Sequence, residues 1–188
     1  MEHVARRPRH GWFLILAAVF LTLGTAIGAR TTAAQEVGPE AAFTAAHRGE
    51  FALSNCPLLG ILRTNCKLQL NGIGRASLLD NTIETGRLTA NLNLLPLECG
   101  SMRGVIRLTQ RDNPDNSVTA VVNGQICAPL LGGILGGNAP YTLNYRFVNG
   151  TGAFDGATGT GTIRGTANFN LLSGSGSYSD FWQGNLVP

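Results

Sequence analysis

The sequence has little charge and almost no lysine. Only 13% of its 188 residues are Asp, Glu, Lys or Arg, and Lys67 is the single lysine. Disorder requires few apolar groups and high net charge, so 44% hydrophobic residues at this low charge exclude a disordered chain. A protein that binds nucleic acid needs a clustered basic face, and no basic run occurs beyond residue 34. Nucleic acid is therefore not an expected partner.

The N-terminal segment has the three parts of a secretory signal. Arginines and a histidine lie within residues 6–10, an uncharged and mostly apolar run covers 12–29, and small residues occupy 31–34. This order predicts a signal peptide over residues 1–34 and a secreted or periplasmic protein. A retained membrane anchor is the alternative, although a run of about 18 residues is at the short limit for a bilayer.

The rest of the chain is long enough for one domain. Residues 35–188 carry ten basic and ten acidic side chains, so the mature chain is neutral, and no stable membrane span is expected in it. The alanine-rich stretch 35–49 is predicted to be a linker or a short N-terminal segment. Residues 50–188 are then a single folded domain.

All four cysteines lie beyond the predicted signal. An even number of cysteines in an exported chain predicts two disulfides, for which three pairings are possible. Structural zinc needs close ligand pairs, whereas this chain has no CxxC and only one histidine, His47, beyond residue 34. We therefore expect no metal.

One hairpin suggests the pairing of the cysteines. The segments 101–110 and 117–127 resemble strands, and the residues between them, 112–116, are rich in turn formers. If the hairpin folds about Asn113, Cys99 faces Cys127 at its open end, within disulfide reach. Cys56 is then left to pair with Cys66.

Short alternating runs dominate the sequence after residue 50, and no segment keeps a helical apolar period for three turns. Glycine and asparagine turns separate eight such runs, which predicts an all-β chain. We expect an antiparallel eight-stranded β-barrel, with a β-sandwich as the alternative. The predicted strands are 51–55, 67–76, 87–95, 102–110, 117–127, 141–149, 160–172 and 177–186.

The sequence contains an internal echo. Residues 87–95 and 164–172 agree at seven of nine positions, and upstream of each lies an Asn-Gly-x-Gly, at 71–74 and 149–152. Farther upstream, Pro-Leu-Leu-Gly occurs twice, beginning at Pro57 and at Pro129. Three blocks in one order favour two duplicated half-barrels, with chance similarity in a Gly-, Asn-, Thr- and Leu-rich chain as the alternative.

Each echoed strand separates a polar face from an apolar one. The polar face is either the solvent side of a barrel wall or the lining of a lumen or groove that binds a polar ligand. The guanidinium group of arginine can donate two parallel hydrogen bonds to a carboxylate. The asparagine amide offers both a hydrogen-bond donor and an acceptor. The candidate ligand-facing residues are Arg87, Thr89, Asn91, Asn93, Arg164, Thr166, Asn168 and Asn170.

A glycine-rich segment follows the predicted strand 141–149. Its pattern, Gly-Thr-Gly-x-Phe-x-Gly-Ala-x-Gly over residues 150–159, resembles the glycine-rich hairpin of the allene oxide cyclase and dirigent barrels. The resemblance implies an eight-stranded antiparallel barrel with Phe154 fixing a bulged turn. It also implies that an apolar cavity controls cyclisation of a fatty-acid epoxide or coupling of phenol radicals without metal or cofactor. It transfers no catalytic residue.

The sequence has no motif that indicates catalysis. A nucleophilic triad needs a histidine placed by the fold, and His47 lies in the predicted linker. Glu84 and Asp180 belong to no motif and are expected at turns or rims. The predicted function is therefore a secreted, disulfide-stabilised binding module for a small hydrophobic or mixed-polarity ligand or a surface partner, without cofactor. The alternative is a cofactor-free isomerase, cyclase or stereo-directing protein acting on a hydrophobic substrate.

Overall fold

The computed structural model describes residues 39–56, 63–93, 99–127, 136–170 and 173–188. Its strands form one closed antiparallel barrel in which each pairs with the next and β8 closes on β1, so the predicted fold class is confirmed. The described ranges contain no helix long and apolar enough to span a bilayer. The strands are β1 (Ala41–Ser54), β2 (Arg63–Ala76), β3 (Asp80–Asn93), β4 (Gly100–Gln110), β5 (Ser117–Ile126), β6 (Gly136–Thr151), β7 (Gly159–Asn170) and β8 (Ser175–Leu186).

The first strand begins earlier than the sequence pattern indicates. β1 starts at Ala41, so most of the predicted linker over 35–49 belongs to the barrel wall, and a domain boundary at residue 50 is too late. Phe43, Ala45 and His47 point inward in strict alternation. The pattern is hard to recognise because Ala42 and Ala46 face outward, which leaves little contrast in hydrophobicity between the two faces. The predicted signal peptide, residues 1–34, lies outside the described residues.

The predicted register of the β4–β5 hairpin is present in the structure. Gly100 pairs with Ile126, which brings the flanking Cys99 and Cys127 together. The structure contains the disulfides Cys99–Cys127 and Cys56–Cys66, the pairing that this register predicts. Two disulfides in a domain of this size indicate an oxidising, extracytoplasmic environment.

The echoed segments occupy equivalent places in the two halves of the barrel. The repeated stretch ends β3 in the first half and β7 in the second, and the Asn-Gly-x-Gly motifs lie near the ends of β2 and β6. The two Pro-Leu-Leu-Gly segments lie outside the described residues, between β1 and β2 and between β5 and β6 along the chain. All three blocks thus recur four strands apart, which supports the interpretation that the barrel arose by duplication.

The glycine-rich connection between β6 and β7 is a tight turn fixed to the core. Residues Gly152–Phe154 form a 3-10 turn that starts with Gly152 at φ +64°, in the left-handed region that favours glycine. Phe154 is buried. The glycine-rich motif therefore forms a turn that Phe154 fixes to the core.

Large side chains fill one half of the barrel interior. Toward the end at which β1 begins and β8 ends, four aromatic rings pack with centroid separations of 4.9 to 6.5 Å: Phe43, Tyr145, Phe147 and Trp182. Glycines within the strands make room for them. A Cβ on Gly161 would lie 2.6 Å from the ring of Tyr145. Glycine in this chain therefore supplies space inside the strands as well as turns between them.

Candidate functional site

A cluster of three ionisable side chains lies in the barrel interior beside the aromatic group. His47 of β1, Glu84 of β3 and Asp180 of β8 are all buried. His47 Nδ1 lies 3.8 Å from Glu84 Oε2 and 3.7 Å from Asp180 Oδ1. Buried charged groups are uncommon unless they are paired, so this cluster is the first candidate for a functional site.

Strand alternation and two glycines place the cluster inside the barrel. β2 separates β1 from β3, and its residues Gly74 and Gly72 pair with His47 and Glu84 respectively. A Cβ on Gly74 would lie 2.4 Å from His47 Cδ2, and one on Gly72 would lie 2.3 Å from the hydroxyl of Tyr178. The Asn-Gly-x-Gly motif of β2 therefore provides the space that the cluster occupies.

Neighbouring side chains hold each member of the cluster by hydrogen bonds. His47 Nε2 lies 2.8 Å from the hydroxyl of Thr82. Tyr178 donates a bond of 2.8 Å to Glu84 Oε2. Asp180 accepts two bonds, 3.1 Å from the hydroxyl of Tyr141 and 3.2 Å from the indole nitrogen of Trp182. The three groups are thus fixed in orientation.

Two polar atoms of the cluster have no partner within the described part of the chain. They are His47 Nδ1 and Glu84 Oε1, both buried. A buried polar atom without a hydrogen bond costs about 1–3 kcal/mol, so native proteins keep few of them. Both atoms belong to side chains of the same cluster, so the cluster has unused capacity to bind a further group.

The surroundings of Glu84 favour its protonated form. Burial raises the pKa of the Glu84 carboxyl well above its usual range, and the negative charge of Asp180 raises it further. The hydrogen bond from Tyr178 acts in the opposite direction but is the smaller effect. Burial also raises the pKa of both tyrosine hydroxyls that contact the carboxylates, Tyr141 and Tyr178. Such a carboxyl can serve as a proton donor.

A small apolar cavity lies on the other side of the cluster, in the half of the barrel that carries both disulfides. The cavity has a volume of about 20 Å³, which is room for about one water. Its polar end consists of Tyr141, Tyr178 and Asp180. The other described lining residues are apolar: Phe51, Leu68, Leu70, Leu88, Met102, Ile106, Ile126, Leu143 and Ala167.

The polar face predicted as ligand-facing lies on the outside of the barrel. Among its described side chains, Arg87, Arg164, Thr166 and Asn168 are exposed, and Thr89 and Asn91 are half-buried. The opposite face of β3 fills the core with leucine and alanine, which forces the polar face outward. These six side chains do not line the lumen. Ligand binding by them stays a prediction, and the ligand would have to bind on the outer surface of the barrel.

Two further candidates from the same pattern are placed only by their backbone. Asn93 ends β3 and Asn170 ends β7, and their side chains lie outside the described residues. On the outer surface, Arg87 borders an open groove that also contacts Glu50 and Arg107. Asn91 donates a hydrogen bond of 2.8 Å to Ser101.

The interior cluster was not predicted, although the sequence contains a signal for it. Glu84 and Asp180 were expected at turns or rims, and His47 in a linker. In β8, however, Asp180 follows the inward Tyr178 and precedes the inward Trp182 at a spacing of two. A charged residue at an inward position of an alternating strand is the signal that identifies a buried acid.

Comparison of the chain with protein-family models, with curated proteins and with solved structures found no match.

Proposed function

We propose that this protein is an exported binding module that takes a small, mainly apolar molecule into the disulfide-bearing half of the barrel. The observation that carries the proposal is the division of the cavity lining into an apolar wall and one polar end. Ligand sites commonly have this composition, in which a few polar groups orient an apolar ligand. The Tyr141 hydroxyl and the Asp180 carboxylate are the groups that would meet the polar atom of the ligand.

Binding requires that the cavity enlarge, since it now has room for about one water. Met102 is the side chain best suited to move, because methionine is unbranched and has three rotatable side-chain bonds. The two disulfides fix strand ends in the same half of the barrel. They support export as well, together with the signal-like segment at residues 1–34.

Calorimetric titration with p-cresol, a small apolar molecule with one hydroxyl, tests the proposal. We expect a dissociation constant between micromolar and millimolar. The variant Ala167→Leu fills the cavity and should abolish the heat of binding. Ala42→Leu adds the same side chain on the exposed face of β1 and should leave it unchanged. Absence of binding to the wild type, or equal binding to Ala167→Leu, overturns the proposal.

A second candidate function is a cofactor-free isomerase or cyclase, as the resemblance to the allene oxide cyclase and dirigent barrels implies. One contact favours it: Tyr178 both lines the cavity and donates a hydrogen bond to Glu84. Proton delivery requires this hydrogen bond to reverse: the Tyr178 hydroxyl gives its proton to a molecule in the cavity and takes the proton of the Glu84 carboxyl in exchange. Glu84 would be the acid, and Tyr178 would deliver the proton.

Chiral analysis of products tests this second function. The protein is incubated with a short-chain allene oxide and, separately, with phenoxyl radicals. A single product enantiomer with the wild type, and racemic product with Tyr178→Phe, would support the isomerase or cyclase function. Racemic product with the wild type eliminates it and leaves the binding function untouched.

A further inference from the structure

The three buried groups His47, Glu84 and Asp180 present their donor atoms to one common point. One ligand atom from each residue lies within 4.8 Å of the other two. The two measured separations from His47 Nδ1, 3.7 and 3.8 Å, are too long for N–H···O hydrogen bonds, which are about 2.7–3.2 Å. Within the described chain, Nδ1 therefore makes no hydrogen bond to either acidic side chain.

The separations do suit two ligands of one metal ion. Metal–nitrogen and metal–oxygen bonds of about 2.0–2.2 Å place two ligand atoms of a tetrahedral ion about 3.3–3.6 Å apart. A shift of a few tenths of an ångström brings Nδ1 to that distance from one oxygen of each acidic side chain. The third pair, one oxygen of Glu84 and one of Asp180, lies within 4.8 Å and can require a larger movement. After such a shift, the hydrogen bonds from Tyr178 to Glu84 and from Trp182 to Asp180 can keep an ordinary length.

The contact between His47 and Thr82 is compatible with coordination through Nδ1. Nε2 lies 2.8 Å from the Thr82 hydroxyl, and a proton on Nε2 donated to that oxygen leaves a lone pair on Nδ1. That lone pair faces oxygen lone pairs of Glu84 and Asp180 at 3.8 and 3.7 Å, and electron pairs that face one another in a dry interior repel. Nδ1 is also one of the buried atoms without a hydrogen-bond partner in the described chain. A cation between the three atoms turns this repulsion into coordination.

The groups around the cluster resemble the outer shell of a metal site. Metal-binding histidines donate their second ring nitrogen to a neighbour, and metal-binding carboxylates are themselves hydrogen-bonded. Here Thr82 contacts the histidine, Tyr178 contacts Glu84, and Trp182 contacts Asp180. Both carboxylates and the imidazole are thus oriented before any ion arrives.

We propose that His47 Nδ1, Glu84 and Asp180 bind one divalent first-row transition metal ion in the barrel interior. One imidazole and two carboxylates suit Zn²⁺ or Mn²⁺. Three protein ligands leave a coordination position free, as in catalytic metal sites. Asp180 also lines the apolar cavity, so that position is close to the space assigned to the ligand. The sequence-based expectation of no metal rested on spacing along the chain, which does not detect ligands from three separate strands.

Zinc titration of untagged protein, stripped of metal by chelator, tests the proposal by calorimetry. We expect one Zn²⁺ per chain. Glu84→Gln keeps an oxygen acceptor for Tyr178 but loses the charge, and should weaken Zn²⁺ binding at least tenfold. Glu50→Gln makes the same change at an exposed position of β1 and should bind as the wild type does.

A buried site can exchange slowly, so a second measurement accompanies the titration. The protein is unfolded in urea with its disulfides intact and refolded with Co²⁺, and the visible absorption of bound Co²⁺ is recorded. Circular dichroism shows whether each variant has refolded. The proposal is overturned if the wild type takes up no metal by either route, or if Glu84→Gln binds as tightly as Glu50→Gln. Neither result bears on binding of p-cresol.

Discussion

The hydroxyl of Tyr178 donates a hydrogen bond of 2.8 Å to Glu84 Oε2 although the two residues are 94 positions apart in sequence. Tyr178 belongs to β8 and Glu84 to β3, strands separated in the wall by β1 and β2. The bond therefore spans the interior of the barrel. It connects a side chain of the apolar cavity with the buried ionisable cluster, so the two parts of the candidate site are in contact.

Tyr178→Phe should destabilise the protein by about 1–3 kcal/mol, because it removes the donor from a buried carboxyl and leaves that group unpaired. Urea unfolding gives the change in free energy. Tyr145→Phe is the matched control, since the Tyr145 hydroxyl is buried without a partner among the described residues. Its removal should be neutral or stabilising. Equal losses from the two variants would contradict the account.

The folded protein should show no tyrosinate absorbance near pH 10. The chain has three tyrosines, and burial raises the pKa of each, for Tyr145 to about 12. In the unfolded chain these groups titrate near about 10. The folded state then holds more protons above that pH, so its stability is complete below pH 10 and falls as the pH rises.

Absorbance and circular dichroism, recorded together during an alkaline titration, check this expectation. Tyrosinate should appear only as the fold is lost. A full tyrosine titration near pH 10 with unchanged circular dichroism would show that the hydroxyls are accessible to water.

Gly72→Ala should destabilise the barrel by about 1–3 kcal/mol through overpacking. The nearest atom to an added Cβ is the Tyr178 hydroxyl oxygen, at 2.3 Å. In a Tyr178→Phe background that oxygen is absent, so the same glycine substitution should cost at least about 0.5 kcal/mol less. The double-mutant cycle is measured by urea unfolding. Additive losses would mean that the two residues do not share this space.

The two disulfides should contribute unequally to stability. Cys99–Cys127 joins residues 28 apart and Cys56–Cys66 joins residues 10 apart. A disulfide removes more entropy from the unfolded chain when it closes a longer loop. Cys99–Cys127 should therefore contribute about 1 kcal/mol more than Cys56–Cys66 to the free energy of unfolding. Urea unfolding of the two paired cysteine-to-alanine variants tests the order. A larger loss from removing Cys56 and Cys66 would contradict it.

Local patterns in the sequence were sufficient to predict the eight-stranded fold and the register of the β4–β5 hairpin. Alternation of apolar residues identified the strands, and the turn at Asn113 aligned Cys99 with Cys127, because both signals lie within one hairpin. Eight such strands also suit a β-sandwich, and it is the pairing of β8 with β1 that shows the barrel. The start of β1 was missed because alanines on both of its faces weaken the alternation.

The candidate site could not be predicted in the same way because its residues have no common segment. His47, Glu84 and Asp180 come from β1, β3 and β8, and only closure of the sheet brings them together. Of the three, Asp180 alone has a clear signal in its own segment, an acid at an inward position between Tyr178 and Trp182. The polar face that includes Arg87 and Asn91 was more conspicuous in the sequence, yet the apolar side of the same strand turns it toward solvent.

The most direct test of a ligand site next to the buried cluster is the nuclear magnetic resonance signal of the Trp182 indole N–H. That group donates to Asp180, which lines the cavity, and Trp182 is the only tryptophan after residue 34. Addition of p-cresol should shift this signal in a saturable manner in the wild type and in Ala42→Leu, but not in Ala167→Leu. An unmoved signal in the wild type at millimolar p-cresol, with the protein folded, would contradict the account.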